Sequence, residues 1–139
     1  MDKNFYNLEC KNLNYFKLIT LTFNKSDATK YEWDSLFTKI ENTLSNVNYK
    51  YIMLVDISLV NFPGLHILKK YSELLKTYPD KIDKFCIETS IIIPQTILSK
   101  TIINTLFTIY KSRRPVYIKY SYDETYNNIL KTVDEYSKN

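Results

Sequence analysis

Glycine occurs once in the 139 residues, at Gly64. Loops that cradle phosphates draw on several glycines for close backbone approach, so P-loop and dinucleotide-fold readings are excluded. Histidine also occurs once, as His66, which leaves no His pair for a metal site. Two cysteines, Cys10 and Cys86, stand far apart in the chain and match no zinc spacing. No apolar run approaches the ~20 residues that a membrane-spanning helix needs. The opening MDKNFYNLEC lacks a basic stretch followed by an apolar one, so no secretory signal is expected. G-x-S-x-G is absent, and Asp56, Asp80, Asp83, Glu88, Asp123 and Glu124 show no pairing pattern. These absences lead to an expectation of a cytoplasmic, non-enzymatic protein with no metal and no cofactor.

Hydrophobic residues make up 45% and charged residues 24%, a globular balance. The length fits one domain over residues 1–139. The net charge is +4, with the charges dispersed, which serves solubility and points to no specific nucleic-acid partner. The densest basic spot is Lys111, Arg113 and Arg114, with Lys119 close by. It reads as a helix C-terminus complementing its dipole. Both cysteines fall on predicted strands and read as buried thiols. A disulfide would need those strands to be neighbours.

Hydrophobic period sets the elements. Residues 5–11 and 15–23 read as two strands of a hairpin around Asn12-Leu13-Asn14, because asparagine tolerates the left-handed turn geometry. Residues 27–47 read as a helix with an apolar stripe of Trp33, Leu36, Phe37, Ile40, Leu44 and Val47. Thr29 and Glu32 have capping-box spacing, and Ser26 or Asp27 is an alternative cap. Residues 50–58 (KYIMLVDIS) form an apolar run that stops at Asp56 and suits a strand buried on both faces. A helix then opens around Asn61, Pro63 and Gly64 and runs to Tyr78, where Pro79-Asp80 ends it. Residues 84–93 read as a strand closed by Pro94, residues 95–111 as an aliphatic helix, and 116–120 as a final strand. Ser121 and Glu124 cap a last helix striped by Tyr126, Ile129, Leu130 and Val133. The predicted class is α/β: a mostly parallel five-stranded sheet with four helices, order ββαβαβαβα, first strand antiparallel.

The informative segment is VDISLVNFPGLHILKK, residues 55–70. Asp56 and Ser58 end a buried strand at the C-terminal edge of a parallel sheet, the usual ligand-binding rim of such folds. In the plain structural reading, Asp56 and Ser58 satisfy loop N–H groups, Asn61 caps the helix and Phe62 plugs the core. In the functional reading, Asp56, Ser58, Asn61, Phe62, Gly64 and His66 form a binding rim. The element order, together with this strand-Asp-x-Ser-loop-Gly-Leu-helix segment, resembles the STAS domain of sulfate transporters and anti-sigma-factor antagonists. In the antagonists a Ser or Thr at the helix start is phosphorylated. Matching Gly64-Leu65 to their motif puts Asn61 at the Asp and Phe62 at the phosphoacceptor, so the resemblance implies a domain lacking that acceptor.

Residues 50–120 also resemble part of the CRAL-TRIO lipid-binding domain: a tyrosine-bearing strand ending in Asp, a helix, a Tyr-Pro break, and a strand closed by Pro. Three functions follow as expectations. The first is a STAS-like, non-enzymatic regulatory domain that binds a protein partner through the loop 58–64. The second is a small lipid or apolar-ligand binder of CRAL-TRIO-like type. The third is an enzyme acting through Asp56, Ser58 and His66. The free hairpin edge and the tyrosines also offer a route to a homodimer.

Overall fold

The first turn of the chain forms at Asn14, which adopts φ 67°. A short polar side chain tolerates that left-handed conformation where most residues pay for it. In the computed structural model, which describes residues 4–61, 65–94, 104 and 114–138, this turn joins β1 (Tyr6–Asn12) to β2 (Lys17–Phe23). The two strands pair antiparallel, with Leu8 facing Leu21 and Cys10 facing Ile19. Strands β3 (Tyr51–Asp56), β4 (Cys86–Ile92) and β5 (Val116–Lys119) then join in parallel. Their spatial order is β1-β2-β3-β4-β5, and the first pair is antiparallel with the rest parallel, as expected for the sheet.

Helix α1 (Lys30–Asn46) starts where the capping box places it. The Thr29 hydroxyl accepts from the Glu32 N–H at 3.2 Å, and the Glu32 carboxylate accepts from the Thr29 N–H at 3.0 Å. The predicted stripe of Trp33, Leu36, Phe37, Ile40, Leu44 and Val47 is buried throughout. Helix α2 (Leu65–Thr77) follows β3, and residues 62–64, with Phe62 and Gly64, lie outside the described residues.

Beyond Thr77 the structure departs from the sequence expectation. Pro79 does not end the helical region but opens a second short helix, α3 (Pro79–Phe85). Proline's fixed φ suits the first turn of a helix, so one residue both stops α2 and starts α3. The following strand therefore begins at Cys86 rather than at residue 84. Two lysines integrate α3. Helix α1 has no basic residue in its own last turn, and Lys81 donates to the Ser45 and Val47 carbonyls there. Lys50 in turn donates to the Lys84 carbonyl at 2.8 Å, near the end of α3. Orphan carbonyls at helix ends need such donors.

The sheet is covered on both sides. One face carries Ile19, Leu21, Val55, Ile91 and Ile93 and packs with α1, Ile67 of α2 and Ile82 of α3. The other carries Leu18, Ile52, Leu54 and Ile92 and packs against Ile129 of the last helix, α4 (Tyr122–Lys138). Ile52 and Leu54 are 0% exposed, which explains why β3 reads as a continuous apolar run. Leu130, expected in the stripe of α4, is 39% exposed, and Thr125 is buried in its place at 1%. Counting around the helix from Ile129 puts Tyr126 and Val133 on the packed side and rotates Leu130 by about 100°. Thr125 tolerates burial because its hydroxyl donates to the Ser121 carbonyl at 2.6 Å.

Four helices and five strands are thus described. The predicted helix over 95–111 lies outside the described residues, apart from Asn104. Arg114, from the predicted basic spot, donates to the Cys86 and Ile87 carbonyls at 2.8 and 3.2 Å and fastens the start of β4. Lys111 and Arg113 lie outside the described residues. No helix among the described residues is long and apolar enough to cross a membrane.

Candidate functional site

The parallel strands end together, and β3 ends at Asp56 as the sequence predicts. The Asp56 carboxylate accepts from the Ser58 N–H at 3.0 Å and from the Ser58 hydroxyl at 2.6 Å. This is an Asx-type turn, in which an acidic side chain replaces the backbone acceptor that the strand no longer provides. The Ile57 N–H still donates to the Ile92 carbonyl at 2.9 Å, so the chain leaves the sheet only at Ser58. Ser58 and Leu59 are exposed, Leu59 at 50%, while Val60 turns back into the core. The rim thus presents an exposed leucine held between a polar turn and a buried anchor.

Asn61, the expected cap of α2, makes its described bonds to the loop after β2. Its N–H donates to the Ser26 carbonyl at 2.8 Å, and its side-chain amide donates to the Asp27 carboxylate at 3.3 Å. It ties the loop after β3 to the loop after β2, which is a contact between adjacent parallel strands that spacing along the chain does not reveal. His66 is exposed in the first turn of α2. Asp56 and Ser58 are therefore brought together, Asn61 joins the neighbouring loop, and His66 faces solvent. Phe62 and Gly64, expected at the same rim, lie outside the described residues.

Sequence reasoning missed the contribution of α4. Tyr122 and Tyr126 stack with ring centroids 6.3 Å apart and planes 7° from parallel. The Tyr122 phenol is pushed above its usual pKa, first by partial burial and then by the charges of Tyr126, Asp56, Glu9 and Asp123. Asp56 at the strand end and Tyr122 at the helix start thus share one electrostatic environment. Lys11 of β1 donates to the Tyr126 hydroxyl at 3.0 Å, which raises the ammonium pKa. The i, i+4 spacing of the tyrosines was a legible signal. Their contact with Lys11 of β1 was not.

A concavity of about 850 Å³ flanks the outer edge of β1. Asn4, Tyr6 and Leu8 line it from the strand side, and Lys25, Tyr31 and Glu32 from the α1 side. Lys25 and Glu32 form an ion pair across its wall at 2.6 Å. That bond, the Thr29 N–H and the Lys25 charge hold the Glu32 carboxyl below the usual carboxylate range. The volume is within the usual span of ligand pockets, but the mixed polar lining is unlike the apolar interior of a lipid site.

Cys10 is an exposed thiol, contrary to the expectation that both cysteines are buried. It lies on the β1 edge, where no further strand among the described residues covers it. Cys86 is buried, and burial pushes its thiol pKa up. Strands β2 and β3 separate the two cysteines, so a bridge within one chain is excluded. Among the described residues no group of His, Cys, Asp and Glu could hold a metal ion. No family model matches the chain, and no curated protein proves similar to it.

Proposed function

We propose that the chain is a STAS-like, non-enzymatic interaction domain. It binds a protein partner through the rim formed by Asp56, Ser58, Leu59, Asn61 and the start of α2. The observation that carries this reading is the turn at the end of β3. Asp56 directs both Ser58 hydrogen bonds into local structure, and the residue left outward is apolar Leu59. A half-exposed leucine fixed in a rigid turn offers contact area without ordering cost, which suits recognition more than turnover. Asn61 stiffens the rim from the neighbouring loop. The alternative of a lipid binder rests on the helix over 95–111, which lies outside the described residues.

Comparative affinity capture with quantitative mass spectrometry tests the proposal. A partner retained by the wild type and by a Lys39→Glu control on α1, yet lost with Leu59→Asp and with Phe62→Asp, supports the rim as the contact. Equal capture by all four proteins removes it.

A further inference from the structure

The outer edge of β1 carries information about what can pair with it. Phe5 accepts from the Asn24 N–H, and the Leu13 N–H donates to Phe16, each at 2.9 Å. These bonds fix the alternation of the antiparallel ladder: odd-numbered residues turn their backbone groups toward β2. Tyr6, Leu8, Cys10 and Asn12 therefore turn their N–H and C=O groups outward. A strand docking here must meet those even-numbered residues, so a second β1 related by a two-fold axis pairs even residues with even residues.

Several registers satisfy the backbone, and charge selects among them. Centring the axis on Glu9 sets Glu9 against the partner's Glu9, which is repulsive. Centring it on Leu8 leaves Glu9 opposite the partner's Asn7 and Lys11 without an acidic partner. Centring it on Cys10 sets Glu9 opposite the partner's Lys11 and Lys11 opposite the partner's Glu9. These oppositions fall at non-hydrogen-bonded positions, where facing side chains come closest. Both residues are exposed, on the sheet face that bears α4. Lys11 spends one donor on the Tyr126 hydroxyl, and an ammonium has three.

We infer that the chain forms a two-fold homodimer through β1, with Cys10 on the axis and reciprocal Glu9–Lys11 pairs across the seam, joining two five-stranded sheets into one. A lone lysine on an edge strand ordinarily discourages pairing. Here Glu9, two residues away on the same face, makes the edge complementary to its own copy. The inference needs only the β1 edge and stands or falls independently of the rim proposed for the partner.

Sedimentation velocity across a concentration series, on five proteins, tests it. The wild type is expected to dimerise. Glu9→Lys alone and Lys11→Glu alone each create like-charged oppositions and should weaken the dimer by tenfold or more. The double variant Glu9→Lys/Lys11→Glu restores opposition and should recover most of the loss. A short bis-maleimide should join wild-type copies by adding to the two Cys10 thiols, and Cys10→Ser should abolish the crosslink while the sedimenting dimer persists. Circular dichroism and urea midpoints confirm that each variant is folded. A wild type that is monomeric throughout, a dimer indifferent to single reversals, or a double variant that fails to recover would each overturn the inference.

Discussion

Removing the Asp56 carboxylate separates two roles that the rim could assign to it. In the structure it accepts from the Ser58 N–H at 3.0 Å and the Ser58 hydroxyl at 2.6 Å. A net hydrogen bond contributes about 0.5–1.5 kcal/mol, and about 1.5–3 when one partner is charged. Asp56 is half-buried and Ser58 exposed, so the lower part of each range applies. Asp56→Ala should therefore cost about 1–3 kcal/mol. Asp56→Asn keeps an oxygen in the same place and should cost under about 1 kcal/mol, because the turn needs an acceptor more than a charge. Ser58→Ala removes only the hydroxyl and should cost about 0.5–1.5 kcal/mol. The double variant Asp56→Ala/Ser58→Ala should cost less than the sum, with a coupling of about 0.5–1.5 kcal/mol. Urea denaturation with a common slope reads all four values. An Asn variant as unstable as the Ala variant, or a coupling near zero, refutes the turn as the reason for an acid at this position.

Other measurements bear on the rest of the fold. Ile129→Ala should destabilise by about 2–5 kcal/mol, since the side chain is 2% exposed and fills the face beneath α4. Leu130→Ala, one residue on, should cost well under about 1 kcal/mol, and equal losses would show that α4 is rotated. The depressed Glu32 carboxyl contributes stability that is present above pH 4.5, its ordinary value, and lost as pH falls through the lower folded value. Lys25→Ala should therefore lessen the acid-side fall of the urea midpoint between pH 5 and 3. Glu88 has the opposite sign: burial raises its carboxyl, against the Lys119 charge, so its ionisation costs the fold stability as pH rises through the folded value. Glu88→Gln should raise the midpoint at pH 7 and leave it little changed below pH 4.5. A thiol reagent should modify Cys10 at once and Cys86 only on unfolding, as their exposures dictate.

Signals confined to one element were legible in the chain. The Thr29 and Glu32 pair marked the start of α1, Asn14 marked the hairpin turn, and the burial of Ile52 and Leu54 followed from an apolar run ending in Asp56. Those signals were enough to place the strands along the chain and to give the α/β class. What escaped depends on contacts between elements. Pro79 carries the same φ whether it terminates a helix or begins one, and the Lys81 contact with the end of α1 is invisible along the sequence. Asn61 has a cap's chemistry but bonds the loop of another strand. Cys10 alternates correctly with Tyr6 and Leu8, yet the core stops short of it. The rim's Asp56–Ser58 pair was readable because its members are two residues apart. The influence of the Asp56 charge on Tyr122 was not, since strand and helix are distant in the chain.

The greasy underside formed by Leu18, Ile52, Leu54 and Ile92 is met, among the described residues, by a helix that follows every strand in the chain. During synthesis the ribosome therefore releases the strands before α4. Until Ile129 emerges and docks, that surface lacks the cover α4 gives it and has apolar area to offer chaperones and other nascent chains. Docking of Ile129 thus closes this face among the described residues, so a chain cut before α4 would yield a sticky product rather than a smaller working one.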